Sequence, residues 1–222
     1  MTKDSSDGRP EFLKTLGVML PCTVEDVKEA YLAKSKTAHP DAGGDTATFV
    51  RVQEAFEQAT EYAQFHASRS RWLASCVARY ASQEEVLGEL KSLGARVQME
   101  TNRWLAAEIG EDFAQVLDKV IGIRWRGPNV DDHALAYLVD QRAVLSTLRR
   151  LDLSGSRITD EGLLKLHVFT GLRVLDLRDT PITRRVFDLV ERLPKLERLD
   201  ISGTRVRWWD RLKVRWSYSR LR

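Results

Sequence analysis

LRRLDLSGSRI, residues 148–158, returns as LRVLDLRDTPI at 172–182 and as LERLDISGTRV at 196–206, with an offset of 24 each time. A more degenerate copy, VIGIRWRGPNV at 120–130, stands 28 residues before the first. The stretch after the motif repeats as well, because VDDHAL (130–135) echoes ITDEGL (158–163). Self-similarity at a fixed period in this range marks an array of one structural unit used several times. A lone unit of that size cannot bury its apolar side, so the units must stack and the ends of the stack must be covered.

The pattern resembles leucine-rich repeats, and its Thr-Asp-x-Gly-Leu tail is similar to the subclass with an α-helix on the convex side. That resemblance implies an α/β solenoid of about four units over residues 120–222. Each unit has a short parallel strand with two inward leucines and a helix that returns over it. The residue between the strand leucines then points outward on the concave face. Asp152, Asp176 and Asp200 are thus expected to form a column, with Arg124 in the same place on the first unit. Like charges one strand apart repel. Arg150 and Arg198 on one side, and Arg126 and Arg178 on the other, are placed to offset them. This face is the expected surface for an unknown protein client or partner. Residues 205–222, with Trp208, Trp209 and Trp216, are expected to cap the last unit.

Working back toward the N-terminus, residues 67–119 read as a helical connector and N-terminal cap. Trp72, Leu73, Cys76 and Tyr80 predict a helix from Ser68 to Tyr80. Ser82 with Glu85 has the form of a capping box opening a second helix through Val86, Leu87, Leu90 and Leu93, closed by Gly94. Ala95 to Met99 alternates like a short strand. Trp104, Leu105, Ile109, Phe113, Val116 and Leu117 suggest further helix around Gly110.

Residues 11–66 hold a helical hairpin. Thr23 with Asp26 is a relative of the capping box, and Val24, Val27, Ala30, Tyr31 and Ala38 share one helical face. Asp45 is placed to cap a second helix, whose apolar positions are Phe49, Val52, Ala55, Phe56, Ala59 and Tyr62. Between them lies His39-Pro40-Asp41, followed by Gly43 and Gly44. Pro40 ends the first helix, because the residue before a proline is pushed out of the α region. This layout, with Phe12, Leu16, Gly17 and Val18 ahead of it and Gln53 to Phe56 behind it, resembles the J-domain of Hsp40 co-chaperones. The resemblance implies that His39, Pro40 and Asp41, together with Lys28, Lys34 and Lys36 on the basic helix face, dock on an Hsp70-type chaperone. That contact stimulates the chaperone's ATP hydrolysis. An ionised Asp41 can accept charge-assisted hydrogen bonds from a partner arginine. The chain departs from the family at Leu32, Ala33 and Thr37, where cations are frequent. Residues 1–65 hold 7 basic and 11 acidic side chains, a net of −4, so electrostatic steering is expected to be weaker than in a typical member.

Residues 1–10 are polar and read as a flexible tail. The whole 222-residue chain carries a net charge of +3. No apolar run approaches the length of a membrane span, and no signal peptide is read at the start. Two cysteines, Cys22 and Cys76, make neither a disulfide framework nor a zinc site, which suggests a reducing, cytoplasmic home. The four histidines, His39, His66, His133 and His167, have no metal-ligand spacing, and neither a phosphate loop nor a nucleophile elbow is present. No catalytic residue, metal or cofactor is expected. Residues 120–222 hold 21 basic and 13 acidic side chains, a net of +8. No nucleic-acid recognition fold accompanies that charge, so nucleic acid is not the expected partner. The reading is a multidomain co-chaperone: an all-α hairpin, a helical middle segment and a repeat solenoid that binds the client. The alternative is a repeat adaptor whose J-like hairpin does not stimulate.

Overall fold

A computed structural model describes residues 9–39, 43–111, 114 and 117–207. Its contacts divide the chain into two compact units, residues 1–77 and 78–222. Pro40 and Asp41 of the loop, most of the N-terminal tail, Phe113, Val116 and the cap tryptophans Trp208, Trp209 and Trp216 lie outside the described residues.

The first unit is helical. Helix α1 (Glu11–Leu16) buries Phe12, Leu13 and Leu16. Helix α2 (Val24–Ala38) opens with the reciprocal cap expected at Thr23. The Thr23 hydroxyl accepts from the Asp26 N–H at 3.2 Å, and the Asp26 carboxylate accepts from the Thr23 N–H at 2.8 Å. Two orphan donors are satisfied at once. Helix α3 (Thr46–Ala67) starts where Asp45 accepts from the Thr48 N–H at 2.9 Å. Helices α2 and α3 pack against each other, and α1 lies against α3. Their apolar stripes follow the helical period: Val27 and Ala38 are buried on α2, and Val52, Ala55, Ala59 and Tyr62 on α3. Tyr31 stacks on Phe56 with ring centroids 4.3 Å apart, and Phe12 meets Tyr62 edge-on at 5.7 Å.

Helix α4 (Arg69–Ser92) is continuous, which corrects the expectation of two helices divided at Ser82. Ala81, Ser82 and Gln83 contain no breaker. Once a helix is nucleated, each further residue adds a hydrogen bond at little cost, so a capping motif does not restart it. The expected stop at Gly94 is real: Gly94 has φ +88°, and the Ala95 N–H donates to the Leu90 carbonyl at 2.9 Å.

The second unit is mixed α/β, built on a mostly parallel five-stranded sheet of order β1-β2-β3-β4-β5. Strand β1 is Arg96–Glu100, followed by helix α5 (Arg103–Ile109). Strand β2 (Lys119–Arg124) pairs antiparallel with β1. The repeats then alternate: α6 (Asp132–Asp140), β3 (Arg150–Asp152), α7 (Asp160–Leu164) running into a 3-10 turn at Lys165–Val168, β4 (Val174–Asp176), α8 (Val186–Arg192) and β5 (Arg198–Asp200). Strands β2 to β5 are parallel, in a register that aligns Ile123, Leu151, Leu175 and Leu199. Leu153 and Leu177 from the motif and Leu163 and Leu189 from the helices are fully buried in one continuous core. Val86, Leu87 and Leu90 of α4 belong to the same core. The indole N–H of buried Trp125 donates to the Leu93 carbonyl at 3.1 Å.

The Thr-Asp repeat has a structural role. Asp132 accepts from the N–H and the hydroxyl of Thr159 in the next unit, at 2.8 and 2.5 Å. Asp160 does the same for Thr183, at 2.8 and 2.6 Å. The residue after Thr183 is Arg184, so the carboxylate that would make the next latch is missing.

Candidate functional site

Two places carry the residues singled out from the sequence, one in each unit. In the first, α2 ends at His39, which is extended (φ −66°, ψ 133°), as the following Pro40 requires. Its imidazole is exposed and stands edge-on to Phe49, with centroids 5.1 Å apart. The Gly44 N–H donates to the His39 carbonyl at 3.0 Å, closing the loop. Lys28 and Lys36 are exposed on α2. Lys34 is half-buried instead, and its ammonium donates to the Thr15 carbonyl at 2.5 Å. Its charge thus serves the end of α1, where unpaired carbonyls favour a cation. Leu32, Ala33 and Thr37 are exposed on the same helix.

In the second unit the register puts two rows on one face of the sheet, the face expected from the repeats to be concave. One runs Arg96, Arg124, Asp152, Asp176, Asp200, and the other Gln98, Gly122, Arg150, Val174, Arg198. The aspartate column anticipated from the repeats is therefore formed. Arg126 and Arg178 offset it. Arg126 Nε donates to Asp152 Oδ2 at 2.7 Å, and Arg178 donates to Asp176 at 2.7 and 3.0 Å, with its Nε 3.6 Å from Asp200. Arg124 lies 3.5 Å from Asp152. Arg150 and Arg198, expected to share this task, pair with no carboxylate among the described residues.

Sequence reasoning missed Arg96, Gln98 and Gly122, because nothing in the 96–100 stretch tells which strand it pairs with. It also missed Ser154 and Ser202. Each donates its N–H and hydroxyl to the aspartate two residues earlier, at 3.2 and 2.8 Å for Ser154 and at 3.0 and 2.6 Å for Ser202. The repeated Asp-x-Ser was the available signal, since such a turn satisfies a carboxylate locally. Among the described residues no cluster of His, Cys, Asp and Glu has metal-site geometry, and no helix is long and apolar enough to cross a membrane.

Burial pushes the Asp152 carboxyl up. The hydrogen bonds from Arg126 and from both groups of Ser154 outweigh burial and hold it below the ordinary carboxylate value. Asp26 and Asp45 are held low as well, first by the backbone N–H groups of Thr23 and Thr48. A carboxyl lowered in the folded state stabilises the fold above its unfolded pKa, about 4, and that stabilisation is lost as pH falls through the folded value. Thermal stability is expected to be level above about pH 5 and to fall steadily below about pH 4. Asp152→Asn should flatten part of the slope for the second unit. Melting curves followed across that range check this, and stability rising on acidification would contradict it.

Residues 144–166 match the family model described as Leucine Rich repeat. DnaJ homolog subfamily C member 28 of Mus musculus is 29% identical over 86 residues, which cover 36% of this chain and 21% of that protein. The chain thus spans about a fifth of that relative's length. No solved structure is significantly similar.

Proposed function

We propose that the chain is a J-domain co-chaperone. Its His39-Pro40-Asp41 loop binds an Hsp70-type chaperone and stimulates its ATPase, and its leucine-rich repeats hold a protein client or partner. The observation that carries the reading is His39: exposed, extended and fixed at the tip of a capped, packed helix pair. The partial likeness to a DnaJ homolog and the repeat match support its two halves. The ATP chemistry belongs to the partner, and the chain itself contributes binding groups. Its cysteines, Cys22 and Cys76, are free, which fits a reducing, cytoplasmic setting.

Single-turnover hydrolysis by an Hsp70, with and without the full chain, tests the proposal. Wild type should accelerate it, and His39→Gln and Asp41→Asn should each abolish the acceleration. Equal stimulation by wild type and variants would sink the reading. One observation favours the alternative, an adaptor with a silent hairpin. Lys34 spends its charge on Thr15, and Leu32, Ala33 and Thr37 add none. The adaptor predicts no acceleration at any concentration, with capture of partners that is indifferent to ATP and to His39.

A further inference from the structure

The concave face is electrically uneven. Its aspartates are answered by Arg126 and Arg178, but the end nearest β1 has cations with little to answer them. Arg96 and Arg124 face each other directly across the β1–β2 pair. Like charges in that position are unfavourable. Arg150, one strand over in the neighbouring row, adds a third. Arg124 has Asp152 at 3.5 Å, yet Asp152 is already engaged by Arg126. Arg96 and Arg150 have no carboxylate partner among the described residues.

The three arginines line a basin of 410 Å³ together with Gln98, Gly122, Asp152 and Asp176. Glycine inside a strand costs stability and marks a place where something approaches the backbone closely. Here the approach is made by Gln98, because a Cβ at residue 122 would stand 3.1 Å from Gln98 Oε1 and 3.2 Å from Gln98 Cβ, so the glycine lets that side chain lie over the strand. The Gln98 amide lies on the same row, beside the cations. Asp152 and Asp176 line the basin as well, but Arg126 and Arg178 hold them. The guanidiniums of Arg96, Arg124 and Arg150 with the Gln98 amide thus leave a net cationic dip suited to carboxylates, whose geometry guanidinium groups match with paired donors.

We propose that this basin binds consecutive acidic side chains of an extended segment of a partner protein. The proposal rests on the reading of the repeat face as a protein-binding surface and specifies what that surface selects. The deposit of positive charge, unfavourable in the free chain, is relieved when glutamates or aspartates enter.

Fluorescence anisotropy of the full chain at low ionic strength, with short labelled peptides carrying consecutive glutamates, glutamines or lysines, tests it. The glutamate peptide should bind and the glutamine peptide should not. Arg96→Gln with Arg150→Gln should weaken binding about tenfold, and Gly122→Ala should weaken it with both cations intact. Arg184→Gln with Arg185→Gln, exposed on α8's leading turn and away from the basin, should leave it unchanged. Equal loss in the two double variants would mean diffuse attraction to net charge and would overturn the site. Preference for the lysine peptide would overturn the acidic selectivity while leaving a peptide-binding face. Silence from all three peptides would overturn the proposal and remove peptide recognition by the repeat face with it.

Discussion

Leu175→Ala is expected to remove about 3–4 kcal/mol from the stability of the second unit. Leu175 is fully buried at the centre of β4, in register with Leu151 on one side and Leu199 on the other. Truncation there loses the transfer free energy of the removed methyl groups and leaves a cavity. Neighbouring strands are held by their own hydrogen bonds and can close that cavity only in part. The repeat geometry enlarges the consequence, because each unit is stable only through its neighbours, so a damaged centre weakens both flanks. Urea unfolding followed by circular dichroism measures the loss. Leu175→Ile, which keeps the volume, should cost under about 1.5 kcal/mol. A penalty for alanine below about 1 kcal/mol would mean that the core is not continuous through β4.

Gly44→Ala should cost the first unit about 2–3 kcal/mol, a large effect for one added methyl group. A Cβ at residue 44 would overlap both the carbonyl carbon and the carbonyl oxygen of Ala38. Those are backbone atoms at the end of α2, so no rotamer change can clear them. The Gly44 backbone must shift, which disturbs the bond from its N–H to the His39 carbonyl and with it the residue that the proposed chaperone contact needs. Gly43 is the useful control. It has φ +84° with open space around it, so alanine there meets only the left-handed backbone penalty of about 1–2 kcal/mol. Thermal unfolding and limited proteolysis of the two variants rank them. The order is expected to be Gly44→Ala below Gly43→Ala below wild type, and a reversed order would refute the close-approach explanation.

The repeat array and the helix caps were legible because both are local. The 24-residue offset fixes which residues share a row, and Thr23 or Asp45 needs only the next few amides to act. The unbroken α4 was not legible, since Ser82 and Glu85 form the same pattern at a helix start and inside a helix. The place of β1 was not legible either: alternation announces a strand but says nothing of its partner. That partner choice put Arg96 opposite Arg124 and Gln98 opposite Gly122, and made this end of the sheet face its most cationic region. Lys34 shows a third limit. Its position on α2 marks it as part of a basic face, yet a carbonyl of α1, nineteen residues earlier, claims the ammonium.

The carboxylate latches also give the solenoid a direction. Two joints are stitched, by Asp132 onto Thr159 and by Asp160 onto Thr183, and the seam stops at Arg184. Beyond that point no such latch is present among the described residues, and the joint relies on backbone bonds such as the Arg205 N–H on the Ile182 carbonyl at 3.1 Å, on apolar contact and on the Arg178–Asp200 and Arg173–Glu197 ion pairs. The two stitched joints are therefore expected to outlast the unlatched one when the array opens locally, so hydrogen exchange should reach the amides of β5 before those of β3.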